Sequence, residues 1–363
     1  GDCDDAVPVY WNWDDRWTFV CRDTNGVKVR VAISASGDPT QGWWWYGFAP
    51  PNGNHIDQPS ITVSADKIVV VGELFDSSNN NDLGQSLFFV INKSEMLADQ
   101  TAYYCPIASH ASTYRAAIRY TNDNFDARAV SDWPAANILV VANVTGAPTS
   151  PTNSTCPTVN EYGVEVKNTA TLRDAPIPGG GLHSQKNNTD NRIMNAVEEI
   201  ASSNNHDIIE FSSTENVSSQ LGVETVRLDF STFPAITVSH TYDFWEGNDG
   251  FDYTMGAVTL DSYSDIYTTF TRTSQGVMPQ AVMEAFSPTG SFYFNQIIYG
   301  QVNTTCGSGS NCRERWGDYL GATQNGLNSG EVFAGSLYQA TAINPAEDGW
   351  GSVVAAAKSS GVE

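Results

Sequence analysis

SITVSADKIVVVGELF (60–75) reads as a strand, a turn and a second strand. Ile, Thr, Val and Phe, the residue types that fit a pleated surface, fill both halves, and Ser-Ala-Asp breaks the run between them. Runs of the same kind recur outward along the chain: KVRVAISAS (28–36), SLFFVIN (86–92), NILVVANVT (137–145), AITVSHTY (235–242), GAVTLDSYSDIYTTFTRT (256–273) and SFYFNQIIYGQV (291–302). Several alternate apolar with polar residues, the period of a half-buried strand. PPNGN (50–54), DSSNNND (76–82) and IPGGG (177–181) punctuate them as turns. Helical spacing is sparse; RIMNAVEEIAS (192–202) fits one short helix or a strand followed by a turn.

The strand groups return every ~50 residues, the spacing of propeller blades, and that period predicts about seven blades. The expected fold is all-β: a single β-propeller over 1–363, each blade of roughly four antiparallel strands. Within it, 1–22 is an N-terminal segment tied by a disulfide and 355–363 is a C-terminal tail.

The chain of 363 residues carries 18 basic and 41 acidic residues, a net charge of −23. Such a surface repels phosphate backbones, which excludes nucleic acid as the expected partner. No stretch reaches the roughly 18–20 apolar residues of a membrane span. The opening, Gly1 with Asp2, Asp4 and Asp5, reads as a mature end after processing. Six cysteines, Cys3, Cys21, Cys105, Cys156, Cys306 and Cys312, fit an oxidising compartment. They allow fifteen pairings. Nearest neighbours, Cys3–Cys21, Cys105–Cys156 and Cys306–Cys312, are the economical expectation. The Asn-x-Ser/Thr pattern falls at Asn92, Asn143, Asn153, Asn187, Asn216 and Asn303, expected carriers of covalent N-glycans in exposed loops or at strand edges. Together these features point to a secreted, extracellular or cell-surface glycoprotein.

Particular motifs carry a resemblance. VAISASGDPTQGWWWYGF (31–48) followed by IDQPSITVSADKIVVVGELF (56–75) resembles the opening blades of secreted sialidase-like (BNR-type) propellers. SLFFVINKSEML (86–97) resembles an outer blade strand. DNRIMNAV (190–197) resembles a blade start, the stretch 252–285 a late blade, and RWGDYLGATQ (315–324) a closing one. The Asp-box of true sialidases, their arginine triad and their tyrosine nucleophile find no match, so the resemblance implies a fold and no activity. In it Asp57, Asp252 and Asp318 are expected to accept backbone N–H bonds at blade corners.

Tests for chemistry along the chain return little. GSGSN (307–311) sits between Cys306 and Cys312 and lacks the strand-to-helix turn of a nucleophile elbow. His55, His110, His183, His206 and His240 show no metal-binding spacing. Carboxylates in aromatic settings are Asp14, Asp15, Asp243, Glu246, Asp249 and Asp252. The segment YDFWEGNDGFDY (242–253), with Asp243, Glu246, Asp249 and Asp252, could contact a cation or a sugar, although its spacing is not that of an EF-hand. No metal ligand set is firm, and no cofactor is expected beyond calcium at that segment. Trp43, Trp44 and Trp45 alternate faces if they lie on a strand, so some are expected between blades and others outward as a contact for a sugar or a protein.

The leading expectation is therefore a non-enzymatic structural or recognition protein. Its partners would be copies of itself, assembled into an extracellular filament through a terminal strand that extends a neighbour's sheet edge. Two other readings stand beside it, a carbohydrate-active enzyme of glycoside-hydrolase or sialidase-like type on a propeller scaffold and a calcium-dependent adhesin. An enzyme should show a pocket that holds two carboxylates of perturbed proton affinity and has room for a sugar; a structural protein should show carboxylates scattered over the surface and a large apolar contact patch.

Overall fold

A computed structural model describes residues 3–23, 28–78, 80–120, 126–133, 138–149, 156–166, 175–177, 180–183, 193–201, 206–217, 220–244, 249–288, 292–298, 312–315, 321–324, 330–339 and 350–358. The chain divides into two compact units, Gly1–Lys167 and Asn168–Glu363.

The first unit holds three antiparallel meanders. The first runs β1 (Cys3–Trp11), β2 (Arg16–Asp23), β3 (Val29–Ser34) and β4 (Trp43–Phe48). The second runs β5 (His55–Val63), β6 (Lys67–Phe75), β7 (Asp82–Asn92) and β8 (Tyr104–Ala108), with a short helix α1 (Lys93–Leu97) between its last two strands. The third holds β9 (Arg115–Arg119), β10 (Ala127–Trp133), β11 (Ile138–Thr145) and β12 (Thr158–Val166). The stretch at 60–75 forms the β5–β6 hairpin, closed by Ser64 N–H donating to the Lys67 carbonyl at 3.0 Å.

Every residue of β6 is buried, because its sheet is covered on both sides. Ile68, Val70 and Leu74 pack with Trp11, Val20, Ile33 and Phe48 of the first sheet. Val69 and Val71 face the other way, onto Tyr114, Ala129 and Ala142 of the third. Each such aliphatic contributes roughly 1.5–3 kcal/mol of burial. Blade-like stacking of sheets thus follows from a strand apolar on both faces. SLFFVIN lies on β7, an inner strand, and β8 takes the outer position expected for it. α1 follows β7 because the Asn92 side chain caps it, accepting from Glu95 N–H.

The second unit contains β13 (Ala175–Ile177) and β14 (Gly180–His183), then the meander β15 (Asn195–Ala201), β16 (His206–Val217), β17 (Gln220–Thr232) and β18 (Ala235–Phe244). A second meander follows: β19 (Asp252–Leu260), β20 (Ile266–Ser274), β21 (Val277–Phe286) and β22 (Phe292–Ile298). β23 (Cys312–Arg315) pairs parallel to β14. A last sheet holds β24 (Gly321–Gln324), β25 (Glu331–Gln339) and β26 (Trp350–Lys358). Leu221, Met255, Tyr267, Met283, Ala322 and Val332 form one apolar cluster that joins the last three multi-stranded sheets of this unit.

The segment left open between helix and strand is strand β15. Its ladder to β16 runs from Asn195↔Ser212 to Ala201↔His206, and pairing overrides the helical spacing of its apolar residues. Of the expected tail 355–363, Ala355 to Lys358 end β26 and pair with β25, and the rest lies outside the described residues. Disulfides Cys3–Cys21 and Cys105–Cys156 are formed as expected. The first ties β1 to β2; the second ties β8 to the segment before β12. Cys306 and the pairing of Cys312 lie outside the described residues.

Candidate active site

The register of β15, β16 and β17 places several polar side chains on one face. Val197 lies opposite Glu210 and Glu199 opposite Ile208, so Glu199 and Glu210 are diagonal neighbours. Arg227 lies directly opposite Glu210 on β17. This face meets β19 and β20. Asn195 bridges the two sheets, its Nδ2 donating to the Val258 carbonyl at 2.7 Å and its Oδ1 accepting from Val258 N–H at 2.7 Å. Ser212, Thr225 and Thr268 continue the seam as a buried run of hydroxyls. Gly256 makes the close approach possible: a Cβ there would stand 2.4 Å from Val223 Cγ1 and 2.9 Å from Ser212 Cβ.

The turn between β19 and β20 closes one end of the seam. Asp261 organises it, with Oδ1 accepting from the N–H groups of Tyr263 and Asp265 at 2.9 and 3.0 Å and Oδ2 accepting from Tyr267 Oη at 3.2 Å. Ser264 is held there at φ 62°, and its hydroxyl donates to Glu199. Tyr263 projects from the same turn and is 56% exposed.

The electrostatics of this cluster are unusual for surface-type residues. Glu199 and Asp265 are 6% exposed, Arg227 is 5% exposed and Glu210 and Asp261 are fully buried. Arg227 Nε approaches Glu210 Oε1 to 2.9 Å, yet both Glu210 oxygens and Glu199 Oε1 lack a hydrogen-bond donor. Burial disfavours the charged carboxylate, and only Arg227 and the Ser264 bond oppose it. Burial therefore pushes Glu199 up to about 7, with Asp261 and Asp265 adding repulsion. Burial also pushes Glu210 up to about 8, with Glu199 adding repulsion and Arg227 only partly offsetting it. Two carboxyls that retain protons near neutral pH can serve as proton donors. No feature of the earlier motif tests singles out Glu199, Glu210 or Arg227. The available signal was a glutamate spaced two residues from apolar neighbours on inward strand positions, as in NAVEEIA and DIIEF.

The residues expected to carry a site are placed otherwise. Asp252 is 2% exposed and its Oδ1 accepts from Leu221 N–H at 2.6 Å. Asp249 accepts from Phe251 N–H, Gln220 Nε2 and the Tyr253 hydroxyl. Both spend their oxygens on the protein's own donors, which is a structural role. The Asp243 side chain and Glu246 lie outside the described residues, as does Asp318. Among the described residues no three His, Cys, Asp or Glu side chains stand together to hold a metal ion. Asp57 pairs with Arg22 at 3.0 Å, and Asp14 with Lys93 at 2.5 Å.

Among the sequon asparagines, Asn143 lies on β11 at 1% exposure and its Nδ2 donates to Asp126 at 3.0 Å. Asn92 is half-buried, with Nδ2 donating to the Pro148 carbonyl at 2.9 Å. Asn153, Asn187, Asn303 and the Asn216 side chain lie outside the described residues. Trp44 packs onto the first apolar cluster rather than outward, whereas Trp45 is 56% exposed and Trp43 half-buried on the opposite face.

No protein-family model and no curated protein sequence matches this chain. Several solved structures are similar. An endo-arabinase from Bacteroides thetaiotaomicron has 10% identity and a TM-score of 0.39, over 82% of this chain and 94% of its own. A polysaccharide lyase, an ulvan lyase, has 9% identity and a TM-score of 0.43, over 92% and 80%. The hemagglutinin-neuraminidase ectodomain of parainfluenza virus 5 has 11% identity and a TM-score of 0.41, over 82% and 68%. At these values none carries an activity to the chain. The activities printed for several of these similar structures are carbohydrate-active. The buried carboxyl cluster counts against the leading expectation of a non-enzymatic protein, since it supplies the perturbed acids expected of an enzyme.

Proposed function

We propose that the chain is a secreted carbohydrate-active enzyme, a glycoside hydrolase on a β-propeller scaffold of about seven blades. The observation that carries this reading is the Glu199–Glu210 pair held beside Arg227 with both proton affinities raised. Glu199 lies at the turn end of the seam and acts as general acid toward the glycosidic oxygen. Asp265, the other carboxyl of the turn with residual exposure, takes the proton of the attacking water. In that step water adds to the anomeric carbon, the glycosidic C–O bond breaks, and the leaving oxygen receives the Glu199 proton. Arg227 is a positioning residue that lowers the proton affinity of Glu199, and Glu210 pairs with Arg227. Tyr263 offers an exposed ring at the rim for a sugar face. The two disulfides fit an oxidising compartment, and among the described residues no helix is long and apolar enough to cross a membrane.

Incubation with a panel of neutral and uronate-containing polysaccharides, followed by an assay for new reducing ends, tests the reading. Cleavage of at least one polymer is expected. Glu199→Gln should lower its rate by about 10²–10⁴-fold, the range for losing a general acid. No release from any polymer, or full activity in Glu199→Gln, would refute it.

A further inference from the structure

The first sheet presents an aromatic face away from its core. Tyr10 on β1 lies opposite Trp17 on β2, with ring centroids 5.0 Å apart. Phe19 on β2 lies opposite Ala32 on β3, and Ala32 opposite Trp45 on β4. The Phe19 and Trp45 rings meet edge to face at 6.2 Å. Trp43 is two residues from Trp45 on the same strand and shares its face. Five aromatic rings therefore occupy one side of four strands, none of them fully buried and Trp45 exposed by more than half. The opposite side, with Val9, Trp11, Val20, Ile33 and Phe48, is the apolar core.

The polar edges of these rings are already spent. Trp17 Nε1 donates to the Gly37 carbonyl at 3.0 Å, Trp43 Nε1 to the Pro39 carbonyl at 2.9 Å, and Tyr10 Oη to Asp15 Oδ1 at 2.8 Å. Each bond fixes a ring plane through the 36–42 loop or the β1–β2 turn and leaves ring faces, not donors, for a ligand. Ring orientation costs little further entropy on binding, because it is set beforehand.

We infer that this face binds a neutral oligosaccharide, whose apolar C–H faces stack on the rings while its hydroxyls donate to carboxylates at the rim. Charge favours that occupant. Asp15 and Asp38 are exposed beside the rings; Asp15 accepts from Tyr10 and Asp38 from Thr40 and Gln41, their remaining lone pairs can accept sugar hydroxyls, and their charge repels anionic chains. Area disfavours a second protein. Of the five rings only Trp45 is more than half exposed, so the face offers little of the roughly 800 Å² per partner that a stable interface buries. The site lies in the first unit and stands independently of the acid pair in the second.

Affinity electrophoresis of the whole chain through gels containing hydroxyethylcellulose, arabinoxylan or galactomannan tests the inference. At least one neutral gel should retard the protein, and added salt should leave the retardation unchanged. Trp45→Ala should weaken it tenfold or more, Trp45→Phe should keep most of it, and Glu199→Gln should keep all of it. Equal mobility of wild type and Trp45→Ala in every neutral gel would overturn the inference. So would light scattering that shows a dimer dissociated by Trp45→Ala, which would make a second copy the occupant.

Discussion

Glu199 shows how a residue type that is usually solvated becomes chemically useful. Its carboxyl sits behind the 261–265 turn with one oxygen lacking a donor, so the neutral form is favoured. The consequence for stability has a definite sign. Glu199 and Glu210 hold protons more tightly folded than unfolded, from an ordinary value of 4.5 up to about 7 and about 8. Their contribution is fully present below pH 4.5 and is lost as pH rises through 7 and 8. Thermal melts between pH 5 and 8.5 should therefore fall more steeply for wild type than for Glu199→Gln; parallel curves would contradict the assignment. Asn143 offers a second check at this scale. Glycopeptide mapping of secreted protein should find its sequon unoccupied, because its buried amide already serves Asp126.

At the level of strands, residue type was a good guide where branched residues flank a polar turn, and the spacing of apolar residues was a poor one in strands buried on both faces. The hairpin at 60–75 could be read directly, since branched residues flank a polar turn. β15 could not, because Ile193, Ala196 and Val197 are all buried and imitate a helical stripe. The acid pair was hidden for a related reason. Glu199 and Glu210 come from different strands, and only the antiparallel register brings them onto one face. The aromatic triplet at 43–45 was half legible: alternation could be expected, but which rings face the core depends on the pairing of β3 with β4. Two substitutions probe the packing between sheets. Gly256→Ala would force Val223 and Ser212 apart, at a cost of about 1–3 kcal/mol in an already filled seam, seen as a lower denaturation midpoint. Arg227→Met removes the cation that holds both acids down, so the pH at which activity declines should move upward by roughly a unit.

For the molecule as a whole, the Cys3–Cys21 and Cys105–Cys156 disulfides of the first unit and the antiparallel meanders within each unit supply frames on which exposed turns can vary. Cys105–Cys156 spans a sequence separation of 51 and restricts the unfolded chain accordingly. Replacing both cysteines by serine should cost roughly 2–4 kcal/mol, visible by calorimetry as an earlier unfolding transition. The recurring strand groups and the cysteine count conveyed an all-β, disulfide-bonded chain, whereas activity could not be read from motifs because the acids follow no linear pattern. The pH dependence of kcat/KM on a cleaved polysaccharide tests the central claim most directly. With Glu199 as a proton donor, the rate should decline as pH rises through about 7, and Glu199→Gln should abolish that limb together with most of the activity. A rate that stays level or climbs across this range, or a Glu199→Gln variant with an unchanged profile, would contradict it.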